Sequence, residues 1–325
     1  MTPTHPLFLG VDAGGTKTAV CIVDRRGNRR AQIRAPSMYY FDEGIELVKR
    51  VLGQAVAQAC AEAATSTDEI TYAFVGFPGY GEASADTPML DAIPEQVFGH
   101  KRYSCGNDMI CGWAGSLGAA DGINVVSGTG SMAYGERNGV GVRTGGWGEA
   151  FGDEGSGYWI GVQGLRVFSQ MSDGRKPPGP LLDAFRERLE LERDLDAVSV
   201  VINRWQRRRA KIASLSHVVV AAAQSGDTEA VSILTRAGIE LSRLVVAVAA
   251  QLGFPEQEGI PVSFSGGIFE VDAVLQSFRQ AMTRAGSAYR LRAPLLDPAA
   301  GAALYAARCA GTPLDPAAVR RLAAG

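Results

Sequence analysis

Histidine is nearly absent, with three in 325 residues (His5, His100 and His217), and the five cysteines (Cys21, Cys60, Cys105, Cys111 and Cys309) include no CxxC pair. Scattered in this way they offer no zinc-type constellation, which needs soft and imidazole ligands at short fixed spacings. An odd number of unclustered cysteines argues against a disulfide framework. With an opening, MTPTHPLFLG, that shows no charged-then-apolar leader, it sets the expectation of the reducing cytoplasm. No charge sign dominates, since 32 Lys plus Arg stand against 34 Asp plus Glu. Without a global positive field to hold a phosphate backbone, nucleic acid is not an expected partner. The most basic stretch, residues 204–211 (RWQRRRAK), reads as a solvated helix face. The longest apolar run, residues 244–252 (LVVAVAAQL), falls far short of the roughly 20 residues of a membrane span and reads as a buried helix. Two phosphate-binding signatures are missing as well: no GxxxxGK[ST] occurs, and no GxGxxG opens a helix after a strand.

What the chain does have in quantity is glycine, 40 residues, within otherwise ordinary globular usage of 46% hydrophobic and 20% charged residues. The length suggests two domains. Residues 7–36 read as a β-meander folded around the turn GVDAGGTKT (10–18), with RRGN at 25–28 closing a second turn. Residues 42–64 carry apolar positions at spacings of three and four (Ile45, Val48, Val51, Leu52, Ala55, Val56), which predicts a helix with one buried face. A strand is expected at 70–77, another at 103–107, and a helix from 109 to 119. The opening pattern then returns: an apolar strand runs into a glycine turn at 123–131 (INVVSGTGS), a second β-run covers 132–136, and a polar turn follows at 137–139. A duplicated domain is the economical reading, with a boundary between 121 and 122. The predicted units are 1–121 and 122–325, the second mostly helical, with helices at 226–253 and 273–285 around a strand at 260–264. A last helix at 299–310 closes the fold and is free to pack back on the first domain.

The chemistry-bearing residues cluster at the glycine turns. In GVDAGGTKT, Asp12 ends a buried strand and is followed by Gly14, Gly15, Thr16 and Lys17. That places a magnesium-facing carboxylate beside bare backbone N–H groups and a hydroxyl, although a plain hairpin with an incidental Asp would look the same. Gly128, Thr129 and Gly130 supply the same donors in the second copy. Asp108 follows a strand and opens a helix, so it is either an N-cap or the general base that takes the proton of an attacking hydroxyl. The densest constellation is Gly145-Gly146-Trp147-Gly148 followed by Gly152-Asp153-Glu154-Gly155-Ser156. A flat aromatic face, bare backbone and two carboxylates suit a neutral polyol. Ser265-Gly266-Gly267 after a strand permits close approach of an adenine or ribose, or is simply a strand-to-helix turn.

In this order the blocks resemble the N-acetylglucosamine kinase branch of the sugar kinase, actin and heat-shock chaperone superfamily, also labelled BadF/BadG/BcrA/BcrD-type ATPases. The resemblance spans nearly the whole chain, and the GTGS, GGWG and GDEGS set is specific to that branch. It implies an α/β fold of two ribonuclease-H-like domains with Mg-ATP and sugar in the interdomain cleft, and phosphate transfer to a sugar 6-hydroxyl. It further implies that Asp108 is the catalytic base and that Asp12 positions Mg2+ through water. The first two turns and the Gly266-Gly267 motif would meet ATP, with Ala222 in a less specific stretch, AAAQSG (221–226). Asn107, Asp108, Gly146, Trp147, Gly148 and Asp153 would hold the sugar. Where the family carries a sugar-binding Asn, this chain has Tyr39 within PSMYYF (36–41). A phenol cannot reproduce the paired donor and acceptor of an amide, so glucosamine and N-acetylmuramic acid stand beside N-acetylglucosamine as substrates. Look-alikes commonly dimerise, which makes a homodimer an expectation of the resemblance alone.

Two other classes use the same fold. Electron-transfer activators of radical dehydratases and reductases hold an iron–sulfur cluster through cysteines, here Cys105 and Cys111, but would leave the GDEGS loop without a purpose. A sugar-sensing regulator would need a DNA-binding module, for which the residues before Leu7 offer no room.

Overall fold

The computed structural model describes residues 6–41, 43–255, 259–286 and 288–325. It divides into two compact units, one formed by Met1–Asp121 with Ala293–Gly325 and the other by Gly122–Arg292.

In the first unit the chain runs β1 (Leu7–Ala13), β2 (Lys17–Asp24), β3 (Arg29–Pro36), α1 (Glu46–Glu62), β4 (Ile70–Phe77), α2 (Thr87–Phe98), β5 (Tyr103–Asn107) and α3 (Met109–Leu117). The sheet order is β3-β2-β1-β4-β5, with β1–β3 an antiparallel meander and β1, β4 and β5 parallel. The central strands are apolar almost throughout because both faces are covered, whereas the edge strand β3 alternates, burying Ala31 and Ile33 between exposed residues. On one face Leu9, Val11, Val20 and Ile22 pack against Val48, Val51 and Leu52 of α1 and Leu90 and Ile93 of α2. The helix anticipated at 42–64 thus exists, but it begins at Glu46; residue 42 itself lies outside the described residues.

The second unit repeats the plan with β6 (Gly122–Ser127), β7 (Ser131–Arg137) and β8 (Val140–Gly145). After these come α4 (Gly157–Ser172), α5 (Pro180–Leu189), α6 (Asp196–Ser199), α7 (Arg209–Ala213), α8 (Ser216–Gln224), α9 (Thr228–Gln251), β9 (Ile260–Ser265), α10 (Asp272–Ala285) and β10 (Tyr289–Arg292). Its sheet order, β10-β9-β6-β7-β8, is the same meander joined to two parallel strands, so the duplication read from the two glycine hairpins is a duplication of topology. One continuous core unites Ile123, Val125 and Val262 of the sheet with Phe168, Phe185, Val219, Leu241 and Phe278 of the helices. Residues 244–251 are the last two turns of α9, as a helix was expected there, but only Val245, Val248 and Ala249 are buried, while Ala250 and Gln251 are exposed. The basic run 204–211 is not a single solvated helix face: Gln206 and Arg207 have left-handed backbones (φ 51° and 55°), which interrupt helical geometry, and α7 starts only at Arg209.

The chain then returns to the first unit as α11 (Pro298–Cys309) and α12 (Pro316–Ala324). The second unit therefore ends at Arg292 rather than at 325. The helix anticipated at 299–310 is not the last, because Asp315 accepts a hydrogen bond from Ala318 N (2.8 Å) and caps one more. α11 covers the second face of the first sheet. Ala299, Ala300, Ala302, Ala303, Ala306 and Ala307 are all buried, and at Gly10 of β1 and Gly301 of α11 a Cβ would run into neighbouring backbone. The missing side chain at Gly10 lets β1 lie against α11, and the one missing at Gly301 lets α11 lie against α3. Among the described residues no helix is long and apolar enough to cross a membrane.

Candidate functional site

In each unit the glycine motifs at 14–17, 128–130 and 266–267, with Asn107 and Asp108, lie at the carboxyl ends of the parallel strands β1, β6, β9 and β5, the usual place for ligands on such sheets. In the first unit Asp12 stands one residue before the end of β1, opposite Gly76 of β4, and Asn107 ends β5, opposite Phe77. Gly76 carries no side chain that would hold the Asp108 backbone away, and Asp108 N donates to Phe77 O (3.1 Å). The side chain of Asp108 does not cap α3; Asn107 does, its Oδ1 accepting from Met109 N (3.1 Å) while its Nδ2 donates to Tyr80 O (3.2 Å). The N-cap reading of Asp108 therefore loses its support, and Asn107 has a structural task of its own.

Asp12 is pushed up to about 7, first by burial and then by the negative charge of Asp297, with Lys17 pulling the other way. Asp297 escaped sequence reading, because it lies 285 positions away and looks only like the cap of α11, where it accepts from Ala300 N (3.0 Å); it also pairs with Arg29 (2.9 Å). The first glycine turn is closed by Gly14 N donating to Lys17 O (2.9 Å), and Ser37 Oγ donates to Gly14 O (3.0 Å). Gly15, Thr16 and Lys17 are exposed. Ser37 Oγ in turn accepts from Tyr39 N (3.0 Å), which ties the exposed Tyr39 and its neighbour Phe41, ring centroids 5.2 Å apart, to the same turn. Cys111 is wholly buried, with burial first and then Asp12 and Asp108 pushing its thiol far up. Cys105 is also raised, chiefly by burial. Neither behaves as the exposed, easily ionised thiol a bridging cluster would require.

In the second unit Ser127 ends β6, beside Ser265 at the end of β9, and the backbone at Gly266 (φ 101°) packs directly on that of Ser127. The second glycine turn is pinned from several sides. Gly157 N donates to Gly128 O (2.8 Å), Tyr158 N to Thr129 O (3.3 Å), Ser127 Oγ to Gly155 O (2.9 Å) and Ser131 Oγ to Glu154 O (2.7 Å). The GDEGS loop and the start of α4 are thereby built onto the turn. Asp153 is buried at 2% exposure in a left-handed backbone (φ 58°), where its carboxylate meets Arg209 of α7 and accepts a long bond from Ser131 N (3.4 Å). Trp147 is 70% exposed and Phe151 76%, on a loop closed by Gly152 N donating to Gly148 O (2.9 Å). Arg143 donates to Gly146 O, fixing the strand that leads there. Arg209 and Phe151 are additions to the sequence-derived set; an aromatic inside GGWGEAFGDEG was visible, whereas nothing local marked Arg209. Ala222, by contrast, is fully buried in α8 and offers no surface to a nucleotide; only neighbours such as Ala221, Gln224 and Ser225 are exposed.

Three glycines share an unusual property. Gly15, Gly128 and Gly267 have no left-handed backbone, and a Cβ built on any of them would meet nothing within 4 Å. Folding makes no steric demand for glycine at these places, and one of them stands in each of the three glycine motifs.

Among the described residues no group of three or more His, Cys, Asp or Glu converges to hold a metal. A magnesium ion fits only as one arriving with a polyphosphate that supplies most of its oxygens, beside the Asp12 carboxylate.

The model of the BadF/BadG/BcrA/BcrD ATPase family matches residues 9–306. The chain is 31% identical over 312 residues to N-acetyl-D-glucosamine kinase of Dictyostelium discoideum, covering 92% of this chain and 97% of that one. It is 28% identical over 273 residues to N-acetylmuramic acid/N-acetylglucosamine kinase of Clostridium acetobutylicum, 84% and 89% of the two chains. A solved structure from Chromobacterium violaceum that carries the name N-acetylglucosamine kinase superposes with a TM-score of 0.69 at 25% identity, covering 93% of this chain and 99% of that one.

Proposed function

The chain belongs to the BadF/BadG/BcrA/BcrD ATPase family, and on that premise we propose that it transfers the γ-phosphoryl group of ATP to the 6-hydroxyl of an amino sugar, N-acetylglucosamine first among them. The observation that carries this reading is the trio of sterically unneeded glycines, Gly15, Gly128 and Gly267. Their N–H groups, with the hydroxyls of Thr16 and Thr129, are suited to phosphate oxygens and to a ribose or base edge that a side chain would keep away. Bound Mg2+ would neutralise charge on the β- and γ-phosphates. Asp12 would orient it through water, its site already disposed to gain from a cation because two carboxylates repel one another there.

Asp108 would take the proton of the attacking hydroxyl, from its place directly after β5 at the start of α3. Trp147 would offer its exposed face to the C–H side of a pyranose and Asp153 its oxygens to ring hydroxyls. Five cysteines outside any disulfide accord with work in the cytoplasm, where ATP is abundant.

The test is ADP release with Mg-ATP against N-acetylglucosamine, glucosamine, N-acetylmuramic acid, N-acetylmannosamine and glucose, repeated with Asp108→Asn. One sugar should stimulate release in the wild type. The variant should bind ATP nearly as well and turn over about 10²–10⁴-fold more slowly, the range of a positioned general base. No stimulation by any sugar would end the kinase reading, and an unchanged rate in the variant would remove Asp108 from the mechanism.

A further inference from the structure

A carboxylate at 2% exposure needs a partner to stay charged and to keep one orientation. Asp153 has two: the Ser131 N–H at 3.4 Å, too long to hold it firmly, and the Arg209 guanidinium. Arg209 is itself braced, its Nε lying 3.4 Å from Glu149, which stands on the same loop as Trp147. The guanidinium also lies against the bare backbone of the second glycine turn, since a Cβ on Gly130 would strike both Arg209 and the Asp153 carboxylate. The approach to α7 is built for this placement. Gln206 and Arg207 hold left-handed backbones without being glycine, a conformation that persists only where the surroundings impose it. Arg208 N donates to Trp205 O (2.9 Å), and Arg188 stacks over the Trp205 ring (5.7 Å), so the turn that delivers Arg209 is anchored at Trp205. A solvated charge run would need none of this.

The geometry points to Arg209 as the positioning residue of the sugar half-site: it fixes the Asp153 carboxylate in one rotamer between the second glycine turn and the GGWG loop. It touches neither substrate nor the reacting atoms in this role. It acts through Asp153, and the inference rests on the reading of Asp153 as a sugar ligand. If the carboxylate loses its partner it is left buried with one weak hydrogen bond, so the sugar hydroxyls lose a fixed acceptor while phosphoryl transfer from a bound sugar is little affected.

The test is steady-state kinetics on the full-length chain with Mg-ATP and its preferred sugar, for Arg209→Gln, Arg209→Lys, Asp153→Asn and the double variant Arg209→Gln/Asp153→Asn. Arg209→Gln should raise KM for the sugar about tenfold or more, with kcat within about threefold and KM for ATP unchanged. Arg209→Lys, which keeps the charge, should recover most of that loss. Once Asp153 is Asn, replacing Arg209 should add little, because the two act as one unit. Three results would overturn the inference with the Asp153 reading intact: a normal sugar KM in Arg209→Gln, a defect in KM for ATP instead, or full additivity in the double variant. A normal sugar KM in Asp153→Asn would overturn that reading and the inference together. Arg209→Lys keeps the test alive should Arg209→Gln fail to fold.

Discussion

Gly128 and Gly10 show how one residue type serves opposite ends. At Gly10 and Gly301 the absence of a side chain lets backbones touch, whereas at Gly128 nothing in the protein occupies the vacant space. Gly128→Ala should therefore leave the melting temperature within a degree or two, with a slight gain possible from a stiffer unfolded chain, while raising KM for ATP at least tenfold. Differential scanning fluorimetry beside kinetics separates the two effects, and an unchanged KM would detach this turn from the nucleotide.

Asp12 illustrates a second residue-scale conflict. Its acid is weakened to about 7 in the folded chain, against an ordinary value near 4 when unfolded. Between these values the folded state holds a proton that the unfolded state has released, so stability falls as pH rises from about 4 to about 7 and stays reduced above it. Without nucleotide or magnesium, Asp12→Asn should thus gain melting temperature over the wild type progressively from pH 5 to pH 8. A difference that does not vary with pH would count against the weakened acid of Asp12, which burial and then Asp297 produce. A site held at such a disadvantage when empty is the kind that a cation relieves.

Among the elements, α11 is the one whose sequence is easiest to undervalue. PAAGAALYAARC has good helix formers but little apolar bulk, and its burial depends on lying almost in contact with β1 and α3. Gly301→Val would push branched carbons into the backbone of Cys111 and Gly115. A loss of about 2 kcal/mol or more is expected, at the upper end for overpacking because main chain rather than a flexible side chain stands in the way. Chemical denaturation measures it, and a loss under about 0.5 kcal/mol would mean that α11 sits farther out than described. The other elements were legible to different degrees. The glycine hairpins and the long helix α9 announce themselves through local turn chemistry and an uninterrupted period. The start of α1 was placed four residues early, ahead even of Ile45 where the apolar spacing begins, because nothing in the sequence marks the first turn. β8 and β10 passed unnoticed, since short, half-exposed strands have little pattern of their own.

At the scale of the molecule, the same five-strand order occurs twice, yet the two units are not equally self-contained. The second is one unbroken segment, Gly122–Arg292, with a single core, whereas the first recruits Ala293–Gly325 from the far end of the chain. Residues 122–292 expressed alone should be soluble and show cooperative unfolding. Residues 1–121 alone should aggregate, because Phe8, Cys21, Val23, Phe74 and Cys111 lose the helices that cover them. Circular dichroism and size-exclusion chromatography decide between these outcomes, and a soluble, cooperative 1–121 fragment would contradict the packing described.

By itself the sequence determined the fold class, the repeat and the positions of the glycine turns, because a hairpin is specified by the residues within it and its strands by their own periodicity. It also supplied Asp12, Asp108, Trp147 and Asp153 as candidates, each lying within a recognisable turn or strand end. What only the tertiary structure decided was which charges these residues face. That Asp297 stands against Asp12, that Arg209 holds Asp153 and that Ala222 is sealed in the core all depend on chain segments brought together by burial of apolar faces. Apolar burial is non-directional and leaves no local mark of which distant polar group it will deliver.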